Sequence, residues 1–180
     1  MSGPCSRLPR SKSVLTKWNV CGLNPESSYM NIQQDFREFL QLLGKYDVDY
    51  MVVGGYAVAV HGYPRFTKDL DVFYRNDADN SKRLKQELLA FGFPPAHLKD
   101  ELFSEDGTVI QFGVPPCQID LLNQISGVSY AEAEGNAVVA RYGDIEIRVI
   151  GKEHLLKNKT STDRLKDKAD AEEIRRADGK

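Results

Sequence analysis

The chain has 180 residues, 28% charged and 41% hydrophobic, with 24 Lys and Arg against 26 Asp and Glu for a formal net charge of −2. That length predicts one domain with a real core, and the composition excludes coiled-coil, collagen-like and wholly disordered chains. The longest mainly apolar run, Met51 to Val60, is about half the roughly 20 residues a membrane-spanning helix needs.

Residues 1–29 are rich in Ser, Pro, Gly and basic side chains without apolar periodicity, and read as a flexible tail or extension; residues 30–180 read as a single domain. Ile32, Phe36, Phe39, Leu40 and Leu43 share one face of a helix ending at Gly44. Asp49 to Val53 is a short buried strand broken by Gly54-Gly55, and Tyr56 to His61 is a short helix stopped by Gly62. Lys68 to Tyr74 alternates as a strand, with Leu70, Val72 and Tyr74 on one face and Asp69, Asp71 and Phe73 on the other. Asn76 to Ser81 reads as a loop with helix-capping Asn and Ser, and Arg83 to Phe91 as an amphipathic helix ended by Gly92 and Pro94-Pro95. Val109 to Phe112 and Gln118 to Leu122 are strands around a Gly113/Pro115/Pro116 turn. Val138 to Tyr142 and Ile145 to Val149 flank Gly143-Asp144 as a hairpin. Lys152 to Asn158 and Leu165 to Arg176 are two closing helices. The fold class is α+β, a small mixed β-sheet flanked by helices.

Cys5, Cys21 and Cys117 are odd in number and far apart, and His61, His97 and His154 lack metal-ligand spacing, so a disulfide framework or zinc site is not expected. With no apolar stretch after the basic start, a signal peptide is not expected either, and the protein reads as cytoplasmic with reduced thiols. The body is acidic and both ends are basic in balance, a distribution that suits a cation in one place and a polyanion in another, or ordinary surface variation.

The informative stretch runs from Val52 to Phe73. A strand entering Gly54-Gly55 and then a helix lets backbone N–H groups approach a phosphate where a Cβ would block the way; a tight structural turn explains the pair equally well. Asp69 and Asp71, two apart on a strand, project from one face, where like charges repel unless a cation lies between them. Asp120 sits mid-strand with Ile119 and Leu121 facing the other way, and a carboxylate there is costly without a partner. If its strand lies beside that of Asp69, the three form a carboxylate cluster able to hold two metal ions for a phosphoryl displacement.

Gly54-Gly55, thirteen further residues, Asp69-x-Asp71 and then Asp120 resemble the nucleotidyltransferase-fold superfamily that includes DNA polymerase beta. The run GGYAVAVHGYPRFTKDLDVF more narrowly resembles the small bacterial nucleotidyltransferase-like proteins, the abortive-infection toxin type among them, and EHLLKNKTSTDRLKDKADAEEI resembles their closing segment. Many members carry Ser where this chain has Gly55. The resemblance implies that residues 30–180 form a nucleotidyltransferase-like domain. It implies a metal-dependent enzyme transferring a nucleoside monophosphate from a nucleoside triphosphate to an acceptor hydroxyl, with release of pyrophosphate. Asp69, Asp71 and Asp120 would bind Mg2+ or Mn2+, and Gly54 and Gly55 the β- and γ-phosphates.

Arg65 and Lys159 are candidates for contact with the triphosphate, each set against a local ion pair or a solvated face. Lys68, Arg164 and His61 are weaker candidates; Asp167 and Asp170, sharing a helix face, are expected to pair with Lys166, Arg164 or neighbours, and Tyr56 to fill the core. The acceptor stays open among RNA, protein and small molecule. With no second domain evident, a bulky acceptor would need a homodimer or partner protein. The alternatives are a non-catalytic binding or regulatory module of the same fold, for example in a toxin–antitoxin pair, and a plain acidic surface patch.

Overall fold

The structure, a computed structural model, describes residues 32–114 and 117–177; the expected tail over 1–29 and the Pro115-Pro116 turn lie outside the described residues. Helix α1 (Ile32–Lys45) buries Phe36, Phe39, Leu40 and Leu43, the stripe its periodicity announces. Strand β1 (Tyr50–Val52) is buried at every position, as a central strand covered on both faces must be. Helix α2 (Gly54–Val60) follows after one residue and includes both glycines, so the chain turns straight from strand into helix, without a separate break at Gly54-Gly55. Strand β2 (Leu70–Tyr74) then returns antiparallel to β1, pairing Val52 with Val72 and Tyr50 with Tyr74.

Helix α3 (Ala78–Phe91) starts earlier than expected and takes in most of the Asn76–Ser81 stretch read as a loop. The reason is a cap: the Asp77 carboxylate accepts from the N–H groups of Asp79 and Asn80. Gly92, in the left-handed region at φ 111°, ends it. A short helix α4 (Glu101–Ser104) leads into β3 (Val109–Val114) and β4 (Cys117–Leu122), which pair antiparallel. Helix α5 (Tyr130–Glu134), absent from the sequence reading, is fixed by a capping box between Ser129 and Glu132. Strands β5 (Val138–Tyr142) and β6 (Ile145–Val149) form the expected hairpin, with Gly143 at φ 63° in the turn. Helices α6 (Lys152–Thr160) and α7 (Leu165–Ala177) close the described chain.

The six strands lie in the order β3-β4-β2-β1-β6-β5. The sheet is mixed: β2 with β4 and β1 with β6 run parallel, and the other neighbours antiparallel. One side is sealed by an aromatic cluster in which Phe39 meets Phe91 and Phe112 at centroid distances of 5.3 and 5.4 Å, and Phe93 meets Phe112 at 4.8 Å. That cluster fixes α1 and α3 against β3, and with them the half of the sheet that carries the acidic residues. No described helix is long and apolar enough to cross a membrane.

Candidate functional site

The site is built where β1 ends. Val53 N–H donates to the Asp71 carbonyl at 2.9 Å, so the strand pairing runs up to the glycines. Gly54 then takes φ 61°, and a Cβ there would lie 1.9 Å from Oδ2 of Asp71. The first glycine therefore exists at this point because the Asp71 carboxylate lies against its backbone. The second serves the loop: a Cβ on Gly55 would lie 2.4 Å from Oγ1 of Thr67, whose hydroxyl donates to the Asp69 carbonyl at 3.3 Å.

Strand register brings the carboxylates together. β2 and β4 are parallel neighbours, and Asp71 is the Cα partner of Asp120. Residues so paired point to one face, about 5 Å apart at the backbone. Burial pushes the Asp71 carboxyl up to about 6, with the charges of Asp120 and Asp69 adding to the rise; the Lys159 ammonium and the Gly55 backbone N–H partly oppose it. Asp69 is half-buried just before β2, and Oδ1 of Asp120 accepts from Nε2 of Gln111 at 2.8 Å.

These are hard oxygen donors, the chemistry Mg2+ and Mn2+ prefer. Among the described residues no group of three or more Asp, Glu, His or Cys side chains is placed to hold a metal ion by itself. What the backbone sets side by side is the Asp71–Asp120 pair. Mg2+ is commonly held by one or two carboxylates, with water and substrate phosphate completing its six positions. A charge-repelled carboxylate pair fits that role.

The charge of Lys159 reaches Asp71, and Arg65 is joined to Lys159 through the shared carboxylate of Asp170. The Arg65 guanidinium grips Asp170 through Nε and Nη2 at 2.8 and 2.9 Å. Lys159 is buried, its Nζ 2.6 Å from Asp167 and 3.3 Å from Asp170. Burial alone would raise the Asp167 carboxyl, but hydrogen bonds from Lys159 and Thr162, with the charges of Lys159 and Arg164, hold it below the usual range. Asp167 pairs with Arg164 as expected; Asp170 reaches instead across 105 residues to Arg65. Helical spacing shows that the two carboxylates share a face, and nothing in the sequence names their partners.

His61 contacts the Ile150 carbonyl through Nε2 at 2.7 Å, tying the end of α2 to the end of β6. Lys68 is exposed, and Tyr56 packs edge-on against Phe36 and Tyr142, as a core residue does. Thr67 and Gln111 went unnoticed in the sequence. Only strand register, which places Gln111 opposite Asp120, singles the latter out.

No family model matches the chain, and no curated protein matches it. Solved structures similar in shape include the following two. One is a lincosamide antibiotic adenylyltransferase with lincomycin bound, 15% identical over 79% of this chain and 95% of that one, with a TM-score of 0.48. The other is an antigenic nucleotidyltransferase-like protein from Paracoccidioides brasiliensis, 16% identical over 81% of this chain and 74% of that one, with a TM-score of 0.49. Likeness at this level is too slight to carry a function.

Proposed function

We propose that the protein is a metal-dependent nucleotidyltransferase, moving a nucleoside monophosphate from a nucleoside triphosphate to an acceptor hydroxyl. The observation that carries this reading is the direct pairing of Asp71 with Asp120 on adjacent parallel strands, against the backbone of Gly54. Two carboxylates so placed cost free energy as they stand, and a divalent cation between them removes that cost.

In this reading Asp71 and Asp120, with Asp69, hold Mg2+ or Mn2+, and the ion offsets the charge of the phosphates. Gly54 and Gly55 let the phosphate chain come close to the backbone. Arg65 and Lys159 add positive charge beside it, held in place by Asp170 and Asp167. Asp120 faces the acceptor hydroxyl and accepts its proton. A bond forms from the acceptor oxygen to the α-phosphorus, the bond from that phosphorus to the bridging oxygen of the β-phosphate breaks, and pyrophosphate leaves with the electron pair. The protein's share of the rate comes from positioning and charge.

A second reading is a binding or regulatory module of the same fold, as in a toxin–antitoxin pair. It is favoured by the fact that Arg65 and Lys159 are already paired with carboxylates. Incubation with α-labelled triphosphates and a cell extract separates the two. The enzyme reading expects label on an acceptor with wild type and none with Asp71→Asn; no label from any of the four triphosphates with Mg2+ or Mn2+ present supports the module.

A further inference from the structure

We infer that Gln111 is a positioning residue, its amide holding Asp120 in the orientation that meets the divalent cation. The inference rests on the metal-site reading above. Gln111 in β3 is the register partner of Asp120 in β4, and Asp120 is the register partner of Asp71 in β2. Gln111, Asp120 and Asp71 therefore form one row across three neighbouring strands on one face of the sheet.

Nε2 of Gln111 donates to Oδ1 of Asp120 at 2.8 Å, from the side of Asp120 away from Asp71. Charge repulsion acts between Asp120 and Asp71, and the directed amide hydrogen bond favours one staggered orientation of the Asp120 side chain over the others. The donor is also neutral. A Lys or Arg in its place would cancel the charge that attracts the cation, whereas an amide gives direction without charge.

The fold does not need this amide. β3 is an edge strand whose pairing with β4 is made by backbone groups, and the core on its other face is supplied by Ile110 and Phe112, both buried. Gln111 itself is half-buried. A ligating carboxylate that is itself held by a hydrogen bond typically loses about 10- to 100-fold in metal affinity when that partner is removed.

The test compares wild type, Gln111→Leu, Asp71→Asn and, as a control on the same strand, Val109→Thr. Mn2+ binding is followed by calorimetry, with thermal unfolding and triphosphate turnover measured in parallel. The expected result is a Gln111→Leu protein that melts close to wild type, binds Mn2+ about 10-fold more weakly, and loses kcat with the KM for triphosphate unchanged. Val109→Thr binds as wild type. Should Gln111→Leu not fold, Gln111→Asn, whose amide stops one methylene short, is expected to show the same weakening. Mn2+ binding by Gln111→Leu within twofold of wild type, while Asp71→Asn binds none, overturns the role of Gln111 and leaves the metal site standing. Absence of Mn2+ binding by wild type itself, with triphosphate present, removes the metal site and the inference together.

Discussion

Gly55 and Thr67 show how tightly single positions are specified around the site. A side chain on Gly55 collides with Oγ1 of Thr67 at 2.4 Å, so Gly55→Ser is expected to cost about 1–3 kcal/mol, the usual range for overpacking. Adding Thr67→Gly should recover most of the loss in urea unfolding; an undiminished loss in the double variant would mean the clash is elsewhere. Asp71 gives a prediction with a sign. Its carboxyl is raised to about 6 from an ordinary 3.8, so the stability it withholds grows as pH rises through that window and is fully withheld above it. In metal-free buffer at pH 8, Asp71→Asn should therefore melt higher than wild type, and Mg2+ should close the gap by stabilising wild type alone. A gap that ignores Mg2+ is what a plain acidic patch would give. Glu87 obeys the same logic far from the site. It is fully buried in α3, neither carboxyl oxygen has a hydrogen-bond partner among the described residues, and burial pushes it up to about 9 from 4.5. Stability present at pH 4.5 is lost progressively toward pH 9, on the order of 3 kcal/mol by pH 7. Glu87→Gln should match wild type near pH 4.5 and exceed it in urea unfolding at pH 8; equal stabilities at both pH values would contradict this.

Among the elements, α7 depends on the loop between α2 and β2. Arg65 and Asp170 form a two-pronged ion pair with side chains 16% and 3% exposed, joined by the buried Lys159. Removing one partner strands a buried charge, so Asp170→Ala is expected to cost about 3–5 kcal/mol, while Arg65→Met with Asp170→Leu should recover most of it. Chemical denaturation of both variants beside wild type checks this, and a double variant as unstable as the single would show that the pair is not what docks the helix. Elements with a strong local signal were legible: the stripe of α1, the β5–β6 hairpin around Gly143, and the end of α3 at Gly92. The start of α3 was not, because Asp77 reads as a loop residue until its carboxylate is seen capping the helix. Helix α5 is too short to show a period, although its Ser129–Glu132 cap was present in the sequence.

At the scale of the whole molecule, the sequence names the acidic residues but not their distances. Asp69 and Asp71 could be tied by strand alternation alone. That Asp120 stands beside Asp71 follows from a parallel pairing between strands that are not consecutive in the chain, and alternation within one strand says nothing of it. The same limit hid Gln111 opposite Asp120 and Arg65 opposite Asp170. Pairings of this kind are set by global topology, so a sequence shows only that a partner is needed. The likeness to solved nucleotidyltransferases is slight in sequence and shape, which leaves the Asp71–Asp120 pair as the centre of the account. Its most direct test is pyrophosphate release from the four triphosphates with Mg2+ or Mn2+, wild type against the Asp69→Asn/Asp71→Asn double variant, with circular dichroism to confirm the fold. The account predicts metal-dependent release by wild type, falling by about 1000-fold or more in the folded double variant, as expected when charge stabilisation of several kcal/mol is lost. Equal release by the two proteins would contradict it.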